Sequence, residues 1–308
     1  MTKAGELQAQ TVAPVVVAPM FTITGPELVV ESCKAGVIGA YPALNARTSE
    51  DFEDLLKTIT MELTEYSKAN PDTIVSPYAV NLVLRSTNTR LGIDLEICER
   101  YQVPIVITIM GKPGEVAERV HGYGGLVFSD VTTIDFAKKA ADAGADGLVL
   151  ICSGAGGHAG RLSPFAFVPA VREFFDAIII VGGCISDGGA IRAVQALGGD
   201  FAYMGTRFIP TVECLAQEEY KQMIVDSSIH DIIYTPAVSG LPANFMRASL
   251  EMTGFDVSDP DDVQRRDAAN EAKAWSGIWG AGQGVHIVHE VSTVSDLVSK
   301  LKAEYEAA

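Results

Sequence analysis

The residue whose setting most suggests chemistry is His158, in the stretch Asp146–Gly160 (DGLVLICSGAGGHAG). An apolar run, Leu148–Cys152, leads into a loop with four glycines and this single histidine. Neighbours that small cannot cover an imidazole, so a histidine at a strand's end in such a loop is offered to a ligand. Near neutral pH it can take a proton as a general base or donate to an anion. The competing role is structural, a ring that bonds loop carbonyls. His121, His230, His286 and His289 lack this setting and read as surface or structural residues.

A second constellation is two small-residue turns, Gly182-Gly183 and Gly205-Thr206, each directly after an apolar run. Glycine lets a backbone approach an oxyanion, main-chain N–H groups donate to it, and the Thr206 hydroxyl adds a donor. Two polar or soft side chains stand out in apolar surroundings. Asn81 lies among Val80, Leu82 and Val83, and Met20 ends Ala18-Pro19-Met20. Each has a bland reading, a satisfied sheet amide and a core filler. Each also suits a flat heteroaromatic ring, whose polar edge takes an amide and whose face takes a thioether. Gly154–Ala159 matches the loose dinucleotide fingerprint G-x-G-x-x-G/A. The next helix starts only at Ser163-Pro164, and Asp176 precedes a strand instead of ending one, so that reading is rejected.

The elements that must hold these residues alternate. Strands are expected at Val15–Ala18, Val37–Ala40, Tyr78–Leu84, Pro104–Ile109, Gly125–Phe128, Leu148–Cys152, Ala177–Val181 and Phe201–Met204. Helices fall between them. Pro26 opens one, Thr48 or Ser49 caps the next, with Phe52, Leu55, Leu56, Ile59 and Leu63 at helical spacing, and Thr133 and Asp187 cap later ones. Eight strands alternating with helices over about 200 residues predict a (β/α)8 TIM barrel rather than a doubly wound sheet. In such barrels the loops after the seventh and eighth strands often hold a phosphate, which is where the two glycine turns fall. Residues 1–12 read as a loose arm. Residues 212–274 break the alternation with a polar, acidic composition and read as a mainly helical insertion or substrate cap, leaving 1–211 and 275–308 to the barrel. Ser239–Asn244 reads as a lid or a connection, Trp275 and Trp279 as helix packing, and a last strand and amphipathic helix (Val294–Tyr305) close the chain. Lys112, after the fourth strand, reads as a surface-loop lysine more readily than as a Schiff base.

Composition sets outer limits. The 308 residues are 48% apolar with 29 glycines, enough for a large core, and the net charge of −16 argues against nucleic acid and anionic membranes as partners. Five widely spaced cysteines with no zinc pattern read as a reduced, cytoplasmic protein, and no apolar run suggests a signal peptide or a membrane span.

Taken in order, APM at 18–20, Asn81, GAGGHAG at 154–160, VGGCISDG at 181–188 and YMGTRF at 203–208 resemble the nitronate monooxygenase family, over nearly the whole chain. The resemblance implies an FMN-dependent (β/α)8 barrel with a helical cap. It implies that nitronates or nitroalkanes are oxidised with dioxygen to carbonyl compounds and nitrite. Ala18, Pro19, Met20 and Asn81 would line the isoalloxazine, with Gly156 and Gly157 beside it. Gly182, Gly183, Gly205 and Thr206 would hold the FMN phosphate, Gln283 would approach flavin or substrate, and His158 would match the catalytic histidine. There is one departure. Many members carry a lysine just after the fifth strand, where this chain has Ser129-Asp130. That bears on substrate preference and on monooxygenation itself. A similar GGH loop occurs in FMN-dependent enoyl-acyl-carrier-protein and NADH:quinone reductases, so an NAD(P)H-dependent reductase is the alternative. A flavin-free barrel for a phosphorylated metabolite and a non-catalytic flavin binder are further readings. The sequence leaves a homodimer open.

Overall fold

The computed structural model describes residues 2–238, 240–255, 257–258 and 277–308. Its centre is a closed, all-parallel barrel built from β1 (Val15–Val17), β2 (Ile38–Pro42), β3 (Ala79–Val83), β4 (Ile105–Ile109), β5 (Leu126–Val131), β6 (Gly147–Ile151), β8 (Ile178–Gly182) and β9 (Phe201–Met204). Closure comes from β1 pairing with β9, Val16 opposite Tyr203. β7 (Gly157–His158) stays outside the barrel and joins β10 (Ile232–Thr235) and β11 (Ala243–Met246) in a small antiparallel sheet.

The strands read as continuous apolar runs because both faces are buried. Val16, Ile38, Ala79, Ile105, Ile107, Phe128, Val149, Ile180 and Phe201 fill the interior. Their neighbours, such as Val17, Val106, Leu148 and Leu150, point outward. The outer residues pack under a ring of helices: α2 (Pro26–Lys34), α3 (Ser49–Ala69), α4 (Leu91–Arg100), α5 (Gly114–Gly122), α6 (Ile134–Asp142), α7 (Pro164–Arg172), α8 (Gly188–Ala196) and the C-terminal helix Val294–Ala307. Fully burying each large aliphatic side chain contributes roughly 1.5–3 kcal/mol. Several helix starts are fixed as the sequence suggests. Pro26 and Pro164 occupy first turns, Thr48 and Asp51 form a capping box, and the Thr133 and Asp187 side chains accept from Phe136 N and Ala190 N.

The loose-arm expectation for residues 1–12 is overturned. Lys3–Gln8 forms a short helix, α1, capped by Thr2, and Leu7 joins the barrel's interior cluster. Six residues with little apolar spacing give no amphipathic signature, because tertiary contacts rather than propensity hold them. Lys3 Nζ meets Asp146 Oδ1 at 2.8 Å, and Asp146 Oδ2 accepts from Val127 N at 2.9 Å and lies 2.7 Å from His121 Nε2. Asp200 does the equivalent at the start of β9. It accepts from Ile179 N at 2.7 Å and from Arg172 Nη2 at 2.6 Å. These two aspartates stitch the bottom of the barrel.

After β9 the chain runs through α9 (Glu218–Asp226), β10, β11 and α10 (Arg247–Met252). The described part of this segment thus holds two strands as well as two helices, and the strands were not foreseen. Ala243-Asn244 belong to β11, so the lid-or-connection stretch is a hairpin connection, with Ser239 outside the described residues. Trp275 also lies outside them. Trp279 is not on a helix. It stacks on Tyr220 of α9, centroids 4.9 Å apart. The expected last strand is absent among the described residues: Gln283–Ile287 is a 3-10 turn and Ser292 makes one bridge, to Thr211. A closed barrel leaves no free edge for a ninth strand.

Candidate functional site at the barrel's C-terminal rim

Apart from Asn81, which lies in the middle of β3, the candidate site residues from the sequence lie at strand ends or in loops at one end of the barrel, the end where βα loops carry the chemistry of this architecture. β8 and β9 are neighbours, with Gly182 opposite Tyr203, so the two small-residue turns lie side by side. Gly183 has φ +132°, a conformation open to glycine, and its absent Cβ would meet Ser153 O at 2.8 Å. Among the described residues the N–H groups of Gly183, Gly205 and Thr206 have no protein acceptor. Thr206 Oγ1 accepts from Gly282 N at 2.9 Å, which leaves its own proton free to donate. The end of β1 closes the cradle: a Cβ on Gly205 would stand 3.6 Å from Ala18 and 3.7 Å from Met20 Sδ.

The His158 loop leans on this cradle. A Cβ on Gly156 would come within 2.8 Å of Gly282 N and 3.1 Å of Thr206 Oγ1, and Gln283 N donates to Gly154 O at 2.9 Å. The loop ends in β7, where His158 pairs through its backbone with Ala243 and Gly157 with Asn244. No helix follows until Pro164, which bears out rejection of the dinucleotide fingerprint. His158 is half-buried.

Met20 and Asn81 are more committed than the sequence suggested. Met20 N–H is taken by Thr24 Oγ1 at 2.9 Å and its carbonyl accepts from Asn45 Nδ2 at 3.1 Å, so the turn through Pro19 is pinned. Asn81 faces the interior of β3, and its Nδ2 donates to Ile107 O at 3.2 Å, as the satisfied-amide reading expects. Gln283 lies against the glycine loop, its Oε1 3.9 Å from Cys184 Sγ.

Sequence reasoning passed over three groups. Asn45 pins the Met20 turn and carries no local signal. Asn244 is 1% exposed, donates from Nδ2 to Ala155 O at 2.6 Å, and has a sealed Oδ1 without a partner. It stands in the apolar run Ala243–Met246, the same signal that exposed Asn81. Tyr203 faces inward from β9, its hydroxyl sealed and without a partner. Asp130, noted in sequence only as a departure, follows Phe128 on the interior face of β5, and its Oδ1 is likewise sealed and unpaired. Burial pushes the Asp130 carboxyl up to about 8. Burial, and then the nearby Asp130 carboxylate, raises the Tyr203 phenol well above its usual range. Buried polar atoms without partners are rare and call for an explanation.

Fold and rim together define the class: a (β/α)8 barrel whose candidate site lies at the C-terminal face. The sequence profile of the Nitronate monooxygenase family matches residues 6–304, and the chain belongs to that family of oxidoreductases. A probable nitronate monooxygenase from Staphylococcus saprophyticus is 26% identical, the match covering 91% of each chain. A nitroalkane oxidase from Streptomyces ansochromogenes has a solved structure that superposes with a TM-score of 0.79 at 25% identity, over 98% of each chain. A (3aS,4S,5R,7aS)-5-hydroxy-7a-methyl-1-oxo-octahydro-1H-indene-4-carboxyl-CoA dehydrogenase from Rhodococcus jostii is 26% identical over 77% of this chain, and the match spans 63% of that protein's length. Among the described residues no helix is long and apolar enough to cross a membrane, and no three metal-ligating side chains cluster.

Proposed function

We propose that this protein binds FMN at the barrel rim and oxidises alkyl nitronates, or their parent nitroalkanes, with dioxygen to carbonyl compounds and nitrite. The observation that carries the reading is the His158 loop resting against the Gly182-Gly183 and Gly205-Thr206 turns. The residues fit the cofactor. The open N–H groups of Gly183, Gly205 and Thr206 and the Thr206 hydroxyl would hold its phosphate, as backbone donors hold oxyanions generally. Ala18, Pro19 and Met20 would border the ring from β1, and Gly156 and Gly157 would let it approach the loop backbone. FMN supplies, when bound, a ring that takes electrons from the substrate and passes them to dioxygen.

His158 then has one of two tasks. A neutral imidazole nitrogen removes the α-proton of a nitroalkane; alternatively an N–H donates to the oxygens of an anionic nitronate. The backbone ladder to Ala243 fixes the residue's height above the rim for either. His158→Asn separates them. Loss of a base should lower turnover of a nitroalkane by about 100-fold or more while the nitronate, which has no α-proton to lose, is spared. Loss of an anion donor should lower both. Unchanged turnover of both by a variant that keeps its FMN would remove His158 from the chemistry.

A second reading is an NAD(P)H-dependent FMN reductase acting on a quinone or an enoyl thioester, and the Rhodococcus jostii relative, a carboxyl-CoA dehydrogenase, favours its thioester part. Anaerobic mixing of the FMN-loaded protein with propyl nitronate and, separately, with NADH decides. Bleaching by nitronate alone supports the first reading, and bleaching by NADH alone supports the second.

A further inference from the structure

We propose that Asp130, in its protonated form, is a hydrogen-bond donor presented from β5 to the polar edge of the cofactor ring, and that its ionisation weakens FMN binding. The inference rests on the FMN reading above.

Asp130 lies on the interior side of β5, one pleat above Phe128, whose ring belongs to the cluster filling the barrel. Going up that side of the barrel, apolar packing therefore gives way to a carboxyl at the rim. The residue as a whole is half-buried, while Oδ1 is closed off from solvent with no hydrogen-bond partner. Across the mouth the Tyr203 hydroxyl is in the same condition. Neither group satisfies the other, and both are within electrostatic reach.

Among the described residues no cation offsets this carboxyl, and burial is the influence that acts on it. The flanking strands offer Thr108 and Ile109 on β4 and Val149 and Ile151 on β6, all uncharged. α5 and α6 pack on β5, against the face opposite the barrel interior. Among the described residues, titratable groups sharing the rim include Tyr203, Cys184 on the loop after β8 and, on the loop after β6, His158. An ionised, half-sealed carboxylate with an unpaired oxygen is costly, so the neutral acid is the stable form at pH 7, in keeping with the upward shift that burial produces. A carboxylate only accepts hydrogen bonds, whereas the acid has one O–H to donate. The ring of FMN presents acceptors along its polar edge, the two carbonyl oxygens and the unprotonated nitrogens N1 and N5, beside a single N3–H donor. Ionisation would turn a donor facing those acceptors into a negative charge facing them.

The test is FMN affinity of the full-length protein, measured by flavin fluorescence quenching from pH 7 to 9.5. That window lies above the second ionisation of the phosphate at about 6 and above an ordinary histidine at about 6.5. Wild-type Kd should stay level to about pH 8 and then rise towards about tenfold per pH unit, the slope of one linked proton. Asp130→Asn, which keeps a donor and cannot ionise, should bind FMN at pH 7 within about threefold of wild type and show no rise. A wild-type curve without the break, or an Asn variant that retains it, overturns the inference while leaving the FMN reading intact. A wild-type protein that binds no FMN at pH 7 overturns both.

Infrared spectroscopy gives an independent readout without the cofactor and without a folded variant. A protonated-carboxyl C=O band should be present in the wild-type protein at pH 7 and fade as the pH passes about 8. Its absence at pH 7 overturns the inference.

Discussion

A single methyl group at Gly156 should damage the rim more than one at its neighbour. The Gly156→Ala Cβ would sit 2.8 Å from Gly282 N, 3.1 Å from Ala281 C and 3.1 Å from Thr206 Oγ1. Two of those three atoms are backbone, so relief requires the 281–283 segment to retreat by roughly half an ångström, an overpacking cost of about 1–3 kcal/mol. Retreat also lengthens the 2.9 Å bond from Gly282 N to Thr206 Oγ1, worth about 0.5–1.5 kcal/mol. The alanine returns about 0.4–1 kcal/mol by restricting the unfolded chain, which leaves a net loss of roughly 0.5–4 kcal/mol, centred near 2. Gly157→Ala meets no atom within 4 Å and carries only the strain of φ +64°, so it should lose about 1 kcal/mol or less after the same return. Gly92→Ala in α4, also in open space, should be neutral or up to about 1 kcal/mol stabilising. Urea denaturation followed by circular dichroism ranks the three, and retained flavin after gel filtration reports on the cradle. A Gly156→Ala protein within 0.5 kcal/mol of wild type, or more stable than Gly157→Ala, would refute the close-approach argument.

Two further outcomes concern the bottom of the barrel. Asp146→Ala should cost about 2–4 kcal/mol, most of it from the buried Val127 N–H left without an acceptor; Lys3, 64% exposed, contributes little. Desolvation works to raise the Asp146 carboxyl, yet Lys3, Val127 N and His121 together hold it below the usual carboxylate range. Its stabilisation is therefore full above the unfolded value near 4 and lost as pH falls through the lower folded value. Stability curves of wild type and variant should draw closer in acid as the ionic part is lost, with the Val127 N–H part remaining, and a gap that does not narrow at all as the pH falls well below about 4 would contradict the assignment. Arg172→Met strips donors from Gly198 O, Ala177 O and the Asp200 carboxylate at once and should lower stability by about 2–4 kcal/mol; a loss under 1 kcal/mol in urea melts would show that water replaces the guanidinium at no cost.

The barrel was legible because its strands are buried on both faces and its helices start with caps and prolines, signals that are local and periodic. The glycine turns at 182–183 and 205–206 could be assigned to adjacent strands once eight strands were counted. What stayed hidden depends on contacts between distant segments. α1 has no amphipathic signature, and its role comes from Leu7 meeting the barrel floor. β7 is two residues long and exists only because β11 lies alongside it. The Asn45 clamp on Met20 joins residues 25 apart with no motif to mark it. Asn244 was legible in principle, as a polar residue in an apolar run, and was passed over because that run was read as a turn. Trp279 was assigned to a helix from its spacing to Trp275, whereas it pairs with a ring on a different element.

The pairing of β7 with β11 has an inheritance consequence. His158 is held to the segment that follows the barrel's last strand by the backbone at Ala243, and Asn244 reaches back to Ala155. The loop that carries the histidine and the segment after β9 therefore form one sheet and cannot be exchanged separately. A chimera that grafts a foreign segment onto this barrel would have to bring its own strand in register with Gly157 and His158, or it would release the histidine. Diversification of whatever is recognised above the rim is thereby confined to residues outside that short ladder, and the histidine's position is inherited with the ladder.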